Sequence, residues 1–213
     1  MIQPGTVFTL ATENPPVPGC TVSMRVTDTI YHFSLAEKTD ISAEVYPYPK
    51  LIVMAAGEME VYTGDGQSWP LWVGQCLITP TDTPVGMRSK LGAVYTEICL
   101  RRDTEMNEII KAGEAFKLAE LLPYQEGRIV NMDIINEPKI KFVLMSFDKG
   151  TGLSDHAAPG EALIFALDGA GAIGYEGKDH PIKAGENFKF AKGGLHSVKA
   201  TEKFKMALLL TLE

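Results

Sequence analysis

Short apolar or alternating runs, separated by turns that carry glycine or proline, follow one another along most of the chain. Residues 50–66, "KLIVMAAGEMEVYTGDG", and residues 162–177, "ALIFALDGAGAIGYEG", show the pattern. Runs of this length and spacing are typical of antiparallel strands in a β-sandwich or β-barrel. The pattern therefore predicts an all-β fold.

Residues 103–122, "DTEMNEIIKAGEAFKLAELL", depart from this pattern. Glutamates, lysines and apolar residues recur there at spacings of three and four, which predicts one or two short helical segments. We therefore expect an N-terminal domain over residues 1–103, a helical linker over 104–112 and a C-terminal domain over 113–213.

The chain also repeats itself once, which supports two domains of similar fold. The offset between copies grows from 108 residues (Gly5 to Gly113) to 112 (Ile41 to Leu153), so the second copy carries four extra residues. The aligned blocks, in chain order, are "GTVFTLA" over "GEAFKLA", "GCTVSM" over "GRIVNM", residues 41–57 over 153–169, and residues 66–85 over 177–196.

Composition excludes several classes of function. The chain has 213 residues, 45% of them hydrophobic, and a net charge of −7, which disfavours binding to nucleic-acid phosphates. No apolar run approaches the roughly 18 residues that span a bilayer, and the first residues lack a secretory signal, so we expect a cytoplasmic protein without membrane contact. The three cysteines, which are widely spaced, predict buried free thiols.

One short motif points to a nucleotide, and its context argues against it. "GAGAIG" (169–174) fits the dinucleotide fingerprint, which requires a helix directly after the glycines. The residues that follow, "YEGKDHPIKAG", are rich in turn formers and lack a helical period. We expect a β-hairpin or a tight strand crossing here and no nucleotide cofactor.

The glycine-turn-strand blocks of both halves resemble the cupin superfamily, whose members are jelly-roll β-barrels, and the whole chain resembles a bicupin. In the family's second motif two glycines precede a metal-binding histidine, and Gly185, Gly193 and His196 fall on those positions. Ala191 stands where proline is usual. In the first half, Val85 takes the place of the histidine.

The first motif of the family supplies two histidines, a glutamate and a closing glycine. His156 matches the second histidine and Glu161 the glutamate, while Ser154 occupies the place of the first histidine. Counted back from Gly169, however, the acidic position falls on Ala162. The N-terminal copy has Glu44 where the second half has His156, so its histidines are lost.

The resemblance implies a divalent transition metal, Mn, Fe, Ni, Cu or Zn, held in the C-terminal barrel by His156, His196 and Glu161. Residues five apart on a straight strand face opposite ways, so His156 and Glu161 share a face only if Pro159–Gly160 shifts the alternation. Phe165, Phe188 and Phe190 either fill this barrel or line an apolar pocket.

Three functions fit these residues. The first is a bicupin that binds a small molecule in its C-terminal barrel, through His156, His196 and a metal. The second is a metal-dependent cupin enzyme, a dioxygenase, isomerase or decarboxylase acting on a small organic acid, phenol or sugar. The third is a structural role in which exposed strand edges form a homodimer.

Overall fold

A computed structural model describes residues 2–101, 104 and 106–212. The first half contains β1 (Val7–Phe8), α1 (Leu10–Glu13), β2 (Thr21–Arg25), β3 (Ile30–Leu35), β4 (Thr39–Val45), β5 (Lys50–Thr63), β6 (Ser68–Trp72), β7 (Gln75–Ile78), β8 (Pro84–Ser89) and β9 (Ala93–Cys99). The second half contains β10 (Phe116–Lys117), α2 (Leu118–Leu121), β11 (Ile129–Asn136), β12 (Ile140–Phe147), β13 (Gly152–Ala157), β14 (Glu161–Tyr175), β15 (Lys178–Lys183), β16 (Asn187–Phe190) and β17 (Leu195–Thr211). The predicted all-β class is confirmed.

Each compact unit contains one antiparallel sheet that curls into a barrel. In the N-terminal unit the strands run β10-β7-β5-β9-β3-β2, and β4, β6 and β8 extend the sheet from β5 and its neighbours. In the C-terminal unit they run β1-β16-β14-β17-β12-β11, with β13 on β17 and β15 on β14. The two-barrel arrangement expected from the repeat is present.

The units exchange short segments, which the predicted division did not anticipate. The N-terminal unit consists of Leu10–Thr104 and Glu108–Lys117, and the C-terminal unit of Met1–Thr9, Glu105–Asn107 and Leu118–Glu213. Strand β1 pairs with β16, and β10 pairs with β7. Each of these strands comes from one copy of the repeated "GxxFxLA" block and completes the sheet of the other unit.

The predicted helical linker over 104–112 is corrected. Residue 105 lies outside the described residues, and no helical turn occurs among the described residues of that range. Met106 forms a β-bridge with Ile135, and Gly113 N donates to Ile78 O, so sheet partners take the backbone groups that a helix would use. A single helical turn, α2, follows within the predicted 103–122 segment.

Two glycines at aligned positions let the long strands β5 and β14 bend. Gly57 and Gly169 have φ of 72° and 69°, beside register shifts in their strands. A Cβ would collide with the carbonyl oxygen of Gly92 at the first position and with that of Lys203 at the second. Only glycine fits such bulges without strain.

Side chains from these bent strands fill both barrels. Phe188 and Phe190 belong to the core of the C-terminal barrel, as expected, whereas the buried Phe165 packs edge-on against Phe142. In the N-terminal barrel the buried core includes Ile52, Met59, Val61, Leu71 and Tyr95. Among the described residues, no helix is long and apolar enough to cross a membrane.

The cysteines are free, as expected, but not uniformly buried, because Cys20 is exposed and Cys99 only partly buried. Burial raises the pKa of the Cys99 thiol from 9.0 to about 11, and the negative charge of Glu97 adds to the effect. The reactive thiolate is then scarce at neutral pH.

We expect iodoacetamide at pH 8 to label Cys20 first and Cys99 about a hundredfold more slowly than a thiol of ordinary pKa. The Cys99 rate should rise about tenfold per pH unit up to pH 11, since the thiolate fraction does. Peptide mass spectrometry measures both rates. Equal labelling of the two cysteines at pH 8 would contradict this prediction.

Candidate ligand site in the C-terminal barrel

The structure brings His156 and His196 together. His156 lies in β13 and His196 near the start of β17, and the two residues are direct partners in the antiparallel pairing of these strands. Their ring centres are 4.1 Å apart with 52° between the ring planes. Strand register thus places the two imidazoles side by side, although the residues are 40 positions apart in the sequence.

Both imidazoles are oriented by their own backbone. His156 Nδ1 lies 2.8 Å from Ser154 O, and His196 Nδ1 lies 3.1 Å from Gly194 O. A carbonyl oxygen only accepts, so each Nδ1 carries the proton and donates it, and the lone pair of each neutral ring resides on Nε2. Metal-binding histidines are commonly oriented by this kind of second hydrogen bond.

An aromatic side chain packs on the inner imidazole, that of His196. His196 is buried, and the Phe190 ring stacks on it at 4.0 Å between ring centres. Burial lowers the pKa of the His196 imidazole, against the opposing effect of its hydrogen bond to Gly194 O. The neutral imidazole, which is the form that binds metals, is therefore favoured. His156 is exposed, so the pair extends from the packed interior to the solvent.

Glu161, the third candidate ligand, is not brought to the histidines. It begins β14 opposite Thr211, whereas the β14 residue opposite His196 is Tyr175, at the other end of the strand. The Glu161 carboxylate lies 3.0 Å from Lys189 Nζ and is half-exposed.

The neighbouring position explains this placement. Ala162 is buried in the barrel core and pairs with Phe190, so it is Ala162 that occupies the inward position and Glu161 that faces outward. Pro159–Gly160 separates β13 from β14 and does not restore the alternation in favour of the glutamate. Ala162 is also the residue reached by the count back from Gly169.

The N-terminal barrel repeats the backbone frame without the imidazoles. Glu44 and Val85 are direct partners in the pairing of β4 with β8, as His156 and His196 are in the other barrel. The Glu44 carboxylate accepts a hydrogen bond from Tyr46 Oη. At this position the two barrels therefore have the same strand pairing and differ only in their side chains.

Tyr175 is a site residue that sequence reasoning missed. It pairs with His196, its ring centre lies 5.6 Å from that of Phe190, and its hydroxyl accepts a hydrogen bond from Ala191 N at 3.3 Å. The aligned residue in the first copy is Thr63, so the repeat itself does not mark this position. His180 contacts Phe188 instead, at 5.1 Å between ring centres.

The imidazole pair offers part of a metal site. Within the described part of the chain, no group of three or more His, Cys, Asp or Glu side chains is arranged to hold a metal ion. The two imidazoles alone would supply an ion with two nitrogen ligands, fewer than structural or catalytic sites usually have.

Two curled antiparallel sheets, one of which carries an imidazole pair on adjacent strands, define a two-barrel β protein. Residues 143–212 match the family model described as the cupin domain. A search of curated proteins finds no match. A cupin 2 conserved barrel domain protein from Leptotrichia buccalis is similar over 99% of this chain and 98% of its own, with 28% identity and a TM-score of 0.84. Residues 143–212 therefore match the cupin domain, and the whole chain shares the fold of a cupin 2 barrel protein.

A second solved structure shares the fold at low identity. Salicylate 1,2-dioxygenase from Pseudaminobacter salicylatoxidans is similar over 98% of this chain and 84% of its own, with 11% identity and a TM-score of 0.66. This likeness extends to the fold of both halves.

Proposed function

We propose that the protein binds a small molecule in its C-terminal barrel, through a divalent transition metal ion held by His156 and His196. The orientation of the two imidazoles carries this proposal, because the hydrogen bonds of both Nδ1 atoms leave both Nε2 lone pairs for an ion. Mn, Fe, Ni, Cu and Zn all accept imidazole ligands. A bound ion would polarise an oxygen atom of the small molecule as a Lewis acid.

The remaining residues of the site contribute shape. Phe190 holds His196 by stacking, and Tyr175, fixed by the backbone of Ala191, packs against Phe190. This apolar side favours a ligand with an apolar part next to its oxygen donor. Binding is favoured over the alternative of a metal-dependent dioxygenase, isomerase or decarboxylase, because Glu161 is paired with Lys189 and does not supply a base at the histidines.

Metal titration tests the proposal. Protein freed of metal by a chelator is titrated with each of the five ions by calorimetry, and metal content is measured after reconstitution. We expect one ion per chain in the parent, and at least about tenfold weaker binding in both His156→Ala and His196→Ala, since each removes one of two ligands.

The matched control is His180→Ala, which removes an imidazole of the same barrel that contacts Phe188 and not the pair. It should bind metal as the parent does. If no ion binds the parent, or if binding survives in both site variants, the imidazole pair is not a metal site.

A further inference from the structure

A cavity of about 730 Å³ opens in the N-terminal barrel, which carries no histidine pair. This volume is in the range of sites for small organic ligands. Its lining comes from strands β2, β3, β5 and β9, from the turns between β2 and β3 and between β4 and β5, and from the residues that follow β9. One lining residue, Phe33, also stacks on the core residue Tyr95 at 5.3 Å between ring centres. The cavity therefore extends inward to the core of the barrel.

Aromatic rings form two sides of this cavity. Tyr31 and Phe33 lie together on β3, with 6.1 Å between ring centres. Tyr46 and Tyr48 lie in the turn after β4, 5.7 Å apart. Two sets of rings on different elements suit a flat apolar ligand, since each set can cover part of its faces and edges.

A buried ion pair supplies the innermost charges of the lining, which also includes Arg101 beyond the end of β9. Lys50 Nζ lies 3.0 Å from Glu97 Oε1, and both side chains are less than one-tenth exposed. Lys50 Nζ also lies 3.4 Å from the centre of the Tyr46 ring, a cation–π contact. The charges of the pair cancel. At the rim, Asp28 is likewise paired, with Arg25.

Glu97 retains capacity to accept a hydrogen bond. Lys50 and the Cys99 thiol, the latter at 3.7 Å, both contact Oε1. Both of these contacts are to the same one of its two carboxylate oxygens. A carboxylate accepts several hydrogen bonds, so the cavity presents an acceptor between aromatic surfaces.

We infer that the N-terminal barrel binds an uncharged aromatic alcohol or phenol, whose ring packs between the two aromatic sides and whose hydroxyl donates to Glu97. An anionic ligand would lie beside the Glu97 carboxylate and a cationic one beside Lys50, and either charge would disturb the buried ion pair. A neutral ring leaves the ion pair intact. Its hydroxyl adds a hydrogen bond to a charged acceptor, a stronger bond than one between neutral groups.

Calorimetric titration of the full chain tests this site, with phenol as the probe and toluene, benzoate and glucose for comparison. We expect phenol to bind with a Kd below about 1 mM. Toluene, which lacks the hydroxyl, should bind at least about tenfold more weakly, because it leaves Glu97 without the added hydrogen bond. The double variant Lys50→Met/Glu97→Leu should lose at least about tenfold in phenol affinity and keep its toluene affinity.

The double variant His156→Ala/His196→Ala is the matched control, because it changes only the other barrel, and it should bind phenol as the parent does. Tighter binding of benzoate or glucose than of phenol would overturn the inference. So would phenol binding that the Lys50→Met/Glu97→Leu variant leaves unchanged, or that the histidine variant loses.

A second measurement needs no cavity variant. Cys99 lines the cavity, whereas Cys20 is exposed and does not. At pH 9, saturating phenol should slow iodoacetamide labelling of Cys99 at least about fivefold and leave that of Cys20 unchanged. Labelling of Cys99 that phenol does not slow would place the ligand elsewhere and overturn the assignment.

Discussion

Replacement of Gly169 by alanine is expected to destabilise the C-terminal barrel by about 4 kcal/mol. The left-handed backbone at φ 69° alone costs a residue with a Cβ about 1–2 kcal/mol. The larger part arises because the new Cβ would collide with the carbonyl oxygen of Lys203, a backbone atom of the paired strand β17. Relief requires the bulge in β14 to shift, and with it the pairing that positions Ala162 and Phe190.

Urea unfolding followed by circular dichroism measures this loss. Gly177→Ala is the matched control, since Gly177 has a similar φ of 78° but a Cβ there would meet no described atom within 4 Å. It should cost only about 1 kcal/mol. Gly57→Ala should behave like Gly169→Ala, because its Cβ would collide with Gly92 O. Equal losses at Gly169 and Gly177 would show that backbone conformation, and not the close approach, limits these positions.

Replacement of Lys50 by methionine is expected to cost the N-terminal barrel about 3–5 kcal/mol. The variant leaves the buried Glu97 carboxylate without its ion-pair partner and removes the cation from the face of Tyr46. Trp69 and Trp72, the two tryptophans of the chain, both belong to the N-terminal unit. Their fluorescence in a urea titration therefore reports on this barrel.

The double variant Lys50→Met/Glu97→Leu distinguishes the net contribution of the ion pair to stability from the cost of leaving one charge unpaired. Two apolar side chains of similar size should restore stability to within about 1 kcal/mol of the parent, because neither charge then needs to be desolvated. A loss below 1 kcal/mol in Lys50→Met alone would indicate that water in the cavity solvates Glu97 well enough to replace the lysine. A double variant less stable than Lys50→Met would contradict the argument.

The strands and the repeat could be predicted because their signals are local. Alternation marks the strands, and the aligned Gly57 and Gly169 occupy matching bulges. The repeat also aligned His156 with Glu44, and strand register places both at equivalent points of the two barrels. Glu161 was harder to place, because one residue of phase decides which side chain faces inward, and Pro159–Gly160 obscures that phase.

The cavity of the N-terminal barrel could not be predicted from the sequence. Tyr31, Tyr46, Lys50 and Glu97 are far apart in the chain, and each has an ordinary strand or turn context. They come close together because β9 pairs with both β3 and β5, and the sequence does not show which strands pair. The helical linker predicted over 104–112 was wrong for a similar reason. The backbone groups of Met106 and Gly113 pair with residues that are distant in the sequence.

The exchange of β1 and β10 bears on how the two copies arose. A single ancestral copy that folded in the same way would lack one strand of its own sheet and would carry one strand that its own sheet does not use. Two separate copies would then complete each other's sheets by exchanging that strand. Gene fusion would then have joined partners that already depended on one another. A present-day cut near residue 110 would recreate two such fragments, each with an unpaired sheet edge that the other fragment's strand fits.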